Sequence, residues 1–203
     1  MDKSAKRMIP VLRIILGCLV ILLVSCREKS PVPKPSCYLR TDLPKHTYKF
    51  NVVRNPVVSF SLDFPTMFTI SRNISDKQYG FQEIDLGAAN GTLLFYSKEF
   101  NTRDSLSKLI NIANDLVDEH KVKADEIQFE QFINKNERVF GTFFSLKGNV
   151  ATNFQFYLTD STKRFIRGEL LLNSRPNYDS LRPIIDYLHV DLRHMLSTFK
   201  WEK

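Results

Sequence analysis

The chain has 203 residues, with 29 Lys and Arg against 22 Asp and Glu, a formal charge of +7 and 12% aromatic side chains. Basic and acidic residues are interleaved (Lys121, Lys123, Asp125, Glu126; Lys163, Arg164, Arg167, Glu169), the pattern of a solvated surface, so no nucleic-acid partner is expected. The length suits one domain with a real core and is small for two, and the seven scattered glycines supply no phosphate-binding loop.

Residues 1–25 read as a signal peptide. Lys3, Lys6, Arg7 and Arg13 form a basic n-region, Ile14 to Val24 an unbroken apolar stretch, and small Ser25 stands before Cys26. The apolar run is too short for a mature spanning helix, which takes roughly 20 residues. Leu23-Val24-Ser25-Cys26 resembles the lipobox of bacterial lipoproteins, in which the cysteine is acylated, palmitate included, and the chain is cut just before it. That resemblance implies Cys26 as the lipidation site and first mature residue, with a membrane as partner through its acyl chains. Each buried methylene contributes about 0.8 kcal/mol, so several chains make a lasting anchor. Loss of the signal lowers the formal charge to about +4. Cys18 leaves with the signal, and Cys37 then has no partner within the mature chain; it is either inert or available to another molecule, and inert is favoured.

Residues 26–37 form a Pro-rich tether, because Pro31, Pro33 and Pro35 on alternate positions prevent helix and favour extended chain. A single α+β domain is expected over 38–203. Tyr48 to Asn55 has strand composition, Val57 to Ile70 holds two apolar pieces punctuated by Pro56 and Pro65, and Gly91 to Phe100 reads as a strand. Leu106, Leu109, Ile110, Ala113, Leu116 and Val117 predict a helix from about Arg103 to Val122, with Asn101 or Thr102 as N-cap.

Four strand candidates follow at Glu126–Ile133, Arg138–Leu146, Thr152–Thr159 and Phe165–Leu172, joined by connections of hairpin length. After Asn177, the positions Leu181, Ile184, Ile185, Leu188, Leu192, Met195, Leu196 and Phe199 make one apolar stripe, with Pro183 expected in the first turn. The expected architecture is an antiparallel meander packed against two main helices, an α/β sandwich with helices on one or both faces.

No catalytic residue, cofactor or metal is expected. Gly-x-Ser-x-Gly, Cys-x-x-Cys and His-Glu-x-x-His patterns are missing from the sequence. His46, His120, His189 and His194 read as surface histidines, and the five-residue spacing of the last two puts them on different sides of a helix. Asp186 with His189, and Asp191 with His194, are each three apart and resemble an acid/base cluster, yet they read as solvated charge beside the stripe. Asp115, Asp118 and Glu119 form an acidic helix edge. Phe140, Phe143, Phe144, Phe154, Phe156, Tyr157 and Phe165 read as sheet core and cross-strand pairs rather than a ligand platform. A hydrolase built on Ser145 or His189 would need a nucleophile and base within hydrogen-bond reach.

Several blocks carry a family resemblance. They are Pro33-Lys34-Pro35 followed by Tyr38, Arg40, Asp42, Pro44 and Tyr48; Lys123-Ala124-Asp125-Glu126-Ile127; Gly148-Asn149; Gln155 to Leu172; and Arg175 to Trp201. In these the chain resembles the gliding-motility lipoprotein GldD family of Bacteroidetes-type bacteria, and it departs from that family mainly between Phe60 and Thr92. The resemblance implies a non-enzymatic role in gliding motility and the linked type IX secretion machinery, supporting the assembly or stability of other envelope proteins. A tethered small-molecule or glycan-binding module is the alternative. Arg27-Glu28-Lys29-Ser30 is not an acidic export run, so the expected location is the periplasmic face of the outer membrane.

Cys26→Ala should therefore leave an uncut, unacylated precursor. Intact mass of the native protein checks this, and a mature chain beginning elsewhere would refute it.

Overall fold

The computed structural model describes residues 42–75 and 79–202, apart from the side chain of Ser75. The signal peptide, Cys26, the tether and Cys37 lie outside the described residues.

In chain order the elements are β1 (Tyr48–Val53), β2 (Phe60–Pro65), β3 (Thr69–Ser75), β4 (Tyr79–Asp85), a 3-10 turn (Gly87–Ala89) and β5 (Gly91–Glu99). There follow α1 (Arg103–Asp118), β6 (Ala124–Asn134), β7 (Val139–Gly148), β8 (Thr152–Thr159), β9 (Arg164–Leu172), α2 (Tyr178–Thr198) and β10 (Lys200–Trp201). Seven strands form one antiparallel sheet in the order β3-β4-β5-β9-β8-β7-β6, and β1-β2-β10 form a second. The class is α+β, dominated by sheet.

Alternation along each strand decides which side chains enter which layer. Leu93 and Phe95 of β5, Phe154, Phe156 and Leu158 of β8, and Ile166 and Leu170 of β9 face α2 and β2, building the main core with Phe60, Leu62 and Phe64. Its centre is aromatic, with Phe60 5.4 Å from Phe95 and 5.2 Å from Phe199, and Phe95 edge-on to Phe156 at 5.4 Å. Gly168 is fixed by this packing, since a Cβ there would strike the Phe156 ring. On the opposite face α1 covers the middle of the sheet and the start of β6, setting Ala113 against Phe100 and Phe165, and Val117 against Phe144, Leu146 and Val150, with Ile127 beside them. Helices therefore lie on both faces. Among the named sheet aromatics, Phe143 pairs with Phe154 at 5.6 Å and Tyr157 with Phe165 at 5.9 Å.

Two local expectations, on the end of α1 and on Pro183, are corrected, and the structure adds strands that the sequence reading lacked. Strand β4 has no counterpart in the sequence reading, because its buried positions are Gly80, Gln82 and Ile84, so the strand shows no apolar alternation. The Val57–Ile70 pieces resolve into β2 and the start of β3, and Lys200–Trp201 returns to pair with β2. Helix α1 stops at Asp118 rather than near Val122: the chain turns through His120 to Lys123, whose N–H bonds back to the His120 carbonyl at 3.0 Å, and Val122 is left 93% exposed. Pro183 is the sixth helical residue after the Asn177 cap, past the first turn. The bond it cannot donate leaves an unclaimed carbonyl at Asp179, tolerable because Pro183 faces solvent.

Of the two cap candidates for α1, Thr102 is the one used, its hydroxyl accepting from the Ser105 N–H at 3.2 Å. All eight residues of the α2 stripe are buried. Leu188, at 0% exposure, sits deepest, so Leu188→Asp combines a lost apolar contact with a buried unpaired carboxylate. It should cost more than about 4 kcal/mol, and a chemical melt of the variant checks this.

Candidate functional site

Strand β1 begins directly after the lead-in segment 42–47, and both lie beside α2. His46 Nδ1–H donates to Asp191 Oδ1 at 2.7 Å, and the Tyr48 hydroxyl donates to the same oxygen at 3.0 Å. The rings interleave: His46 stacks on Tyr187 at 4.2 Å and Tyr48 on His194 at 3.7 Å, while His194 Nε2 lies 3.3 Å from Asp63 Oδ2 on β2. Two imidazole–carboxylate pairs thus flank Tyr48 and join the lead-in, β1, β2 and α2.

Asp191 is 0% exposed, and its Oδ2 has no hydrogen-bond partner among the described residues. Burial, then the bond to Asp191 and its charge, push the Tyr48 phenol up to about 12, and Tyr187 is raised mainly by burial with Asp191 adding to it. Both stay protonated and serve as neutral donors or stacking surfaces.

These placements revise the expectation of solvated charge along this helix. Asp191 is not solvated charge: it occupies the stripe itself, three residues after Leu188 and seven after Ile184. Its partner is His46 rather than His194, and Asp186 faces Arg182 at 3.7 Å rather than His189. His189 is half-buried, its ring parallel to Phe143 at 5.7 Å and to Phe154 at 5.6 Å. Burial there, reinforced by the Arg193 charge, holds its imidazole below the ordinary 6.5, so it is neutral at pH 7. Ser145 lines the same cleft as His189 without a hydrogen bond to it.

Buried Asp191 holds the His46 ring, itself 35% exposed, by Nδ1, the arrangement that prepares Nε2 for proton transfer, yet no hydroxyl or thiol bonds to that nitrogen among the described residues. No group of three His, Cys, Asp or Glu among the described residues could hold a metal ion. Asp115, Asp118 and Glu119 are exposed, with Asp118 paired to Lys121 at 2.7 Å. One cleft of about 280 Å³ runs between α2 and β6, lined by Glu130, Phe132, Phe143, Arg193 and His194. A larger one of about 710 Å³ lies between β1 and β10, beside Arg54, Asn55, Ser59 and Trp201.

At the other end of β9, Asp160 supplies a structural contrast. Burial raises its carboxyl, but the N–H groups of Arg164, Lys163 and Thr162 and the Arg164 guanidinium outweigh that and hold it well below the usual carboxylate range. The turn it closes is thereby fixed, and Arg164 goes on to lie 5.1 Å from the centre of the Trp201 ring.

Since Asp191 is the acceptor for two donors, Asp191→Ala strands the Tyr48 hydroxyl and frees the lead-in. It should lower stability by about 2–4 kcal/mol, and Tyr48→Phe by about 1 kcal/mol. Urea melts check both, and an Asp191→Ala midpoint equal to the parent's would overturn the assignment.

No helix among the described residues is long and apolar enough to cross a membrane. No curated protein matches the chain. A family model described as gliding motility lipoprotein GldD matches residues 28–201, the 60–92 region included. The match takes in both α2 and the lead-in that Asp191 joins to it, and by its extent the chain belongs to the gliding motility lipoprotein GldD family.

Proposed function

We propose that this lipoprotein acts without catalysis, binding other envelope proteins and thereby supporting gliding and type IX secretion, while acyl chains on Cys26 hold it at the periplasmic face of the outer membrane. Family membership supports the motility role. The observation that carries the contact reading is the sheet face that α1 leaves open. There Ile74, Tyr79, Phe129 and Ile133 are all more than half exposed. They fall in two pairs, Ile74 with Tyr79 at the β3–β4 edge and Phe129 with Ile133 at the β6 edge, and these exposed apolar edges support contact with other proteins.

A second reading, a tethered small-molecule or glycan-binding module, has the cleft between α2 and β6 in its favour. It offers an aromatic floor in Phe132 and Phe143 beneath the Glu130–Arg193 pair, which is 2.8 Å apart.

Deletion should abolish spreading on agar and lower the abundance of partner components. His189→Gln, His194→Gln, Asp186→Asn and Ser145→Ala, at normal abundance, should glide and secrete near the parent level. A single change among these that stops motility while fold, abundance and partner recovery stay intact would overturn the non-catalytic role. Loss of motility that tracks loss of small-ligand binding at Phe143 would favour the second reading.

A further inference from the structure

The two edges of the seven-stranded sheet are built differently. An edge strand presents unpaired N–H and C=O groups to any neighbouring strand, and proteins normally shield it by shortness, bulges, outward charge or cover. Strand β3 follows that rule: it is seven residues long, a register shift interrupts it between Ile70 and Arg72, and Arg72 and Glu83 lie across its surface 3.7 Å apart. Strand β6 does not. It runs 11 residues from Ala124 to Asn134 with no proline, its one irregularity falls at the start between Ala124 and Glu126, and no strand pairs with its outer edge among the described residues.

Two of the three carboxylates on this strand are already neutralised within the chain, and the third, Asp125, lies at its very start. Glu126 is bonded to Lys147 at 2.8 Å, and Glu130 to Arg193 at 2.8 Å. On the face that also carries α1, Phe129 is 71% exposed and Ile133 61% exposed, symmetrically placed about Gln131.

We propose that β6 is a two-fold contact between two copies of this chain, pairing antiparallel with Gln131 opposite Gln131 to make one sheet across the dimer. Strand alternation and the two-fold axis fix the register. Centred on Gln131, Phe129 of each copy lies across from Ile133 of the other, so both exposed apolar residues are covered twice over. Glu130 then lies across from Phe132 and Glu126 from Asn136, which sets no strand carboxylate against another. Exposed Lys135, at the end of one strand, comes beside the acidic Asp125–Glu126 start of the other, and Glu137, which falls nearest Asp125, is held by Lys200 at 2.9 Å.

Other registers lose these features. A centre at Gln128 sets Glu126 against Glu130, and a centre at Phe129 places Ile133 across from Asp125. Self-complementarity at one register, with Glu126 and Glu130 neutralised and Asp125 met by Lys135, selects a second copy as the occupant. The inference does not depend on the contact-based function: it covers Phe129 and Ile133 and leaves Ile74 and Tyr79, at the opposite edge, for other proteins.

The test uses the full lipidated protein in its own envelopes, in a Cys37→Ser background. Directly opposed antiparallel residues have Cα atoms about 4.5–5.5 Å apart. A disulfide bridges about 4.4–6.8 Å. Gln131→Cys should therefore give, under mild oxidation, a reductant-sensitive species of twice the monomer mass. Asn111→Cys, exposed on α1, should stay monomeric, and adding Phe129→Lys should abolish the Gln131→Cys cross-link at unchanged abundance.

Light scattering of the detergent-solubilised parent should also give the dimer mass, independent of any substitution. A Gln131→Cys protein present at normal level that stays monomeric, equal cross-linking through Asn111→Cys, or capture of a protein of different mass would each overturn the proposal.

Discussion

A carboxylate in the interior is the constraint around which the first and last parts of this domain are arranged. Asp191 lies on the buried stripe of α2, where an ionised group without partners would be far costlier than any apolar residue it replaces. Two donors answer it, His46 Nδ1 and the Tyr48 hydroxyl. Both come from the chain just before and at the start of β1, more than a hundred residues earlier in sequence. The helix thus cannot settle on the sheet without the lead-in settling on the helix. The stacks of His46 on Tyr187 and of Tyr48 on His194 then extend a single polar contact into an interface.

This coupling shows which parts of the fold can be read in sequence. The α2 stripe was legible because eight apolar positions repeat at helical spacing, and each of the eight is buried. The meander from β6 to β9 was legible because its connections are hairpin-length and its alternation clean. Strand β4 was not, since its inward positions hold Gly80 and Gln82: a Cβ on Gly80 would meet the Ser97 hydroxyl and the Asn55 side chain, so the strand is selected by a close polar packing that hydropathy does not register. The small sheet was illegible for another reason. Its third strand is two residues long and joins β2 from the far end of the chain, a pairing that no local pattern encodes.

Asp191 belongs between these cases. Its spacing from Ile184 and Leu188 places it on the apolar face, so its burial could have been inferred from position alone, against the solvated reading that its charge suggests. Its partners could not. An Asp three residues before a His on a helix points to a local pair, and the actual partner, His46, is fixed only by how β1 and the lead-in pack on α2. Distant contacts override local spacing whenever a buried charge has to be satisfied from the nearest element in space.

The two faces of the large sheet then divide the work. One is closed by α2 and β2 around the Phe60, Phe95, Phe156 and Phe199 rings, and stability resides there. The other is crossed by α1, whose sixteen residues pack on β8 and β9 and, through Val117, on β7 and the start of β6, leaving Phe129 and Ile133 uncovered. Across this second face the register runs Ile74, Phe81, Tyr96, Arg167, Tyr157, Thr142 and Gln131, one residue per strand. The middle members lie near α1, and the outer ones do not. A core needs only one fully covered face to hold this sheet together, so the cover on the second face is free to stop short. Where it stops, the sheet ends in an 11-residue strand whose backbone edge and apolar side chains face outward, and these are available to another chain without disturbing anything that holds the first.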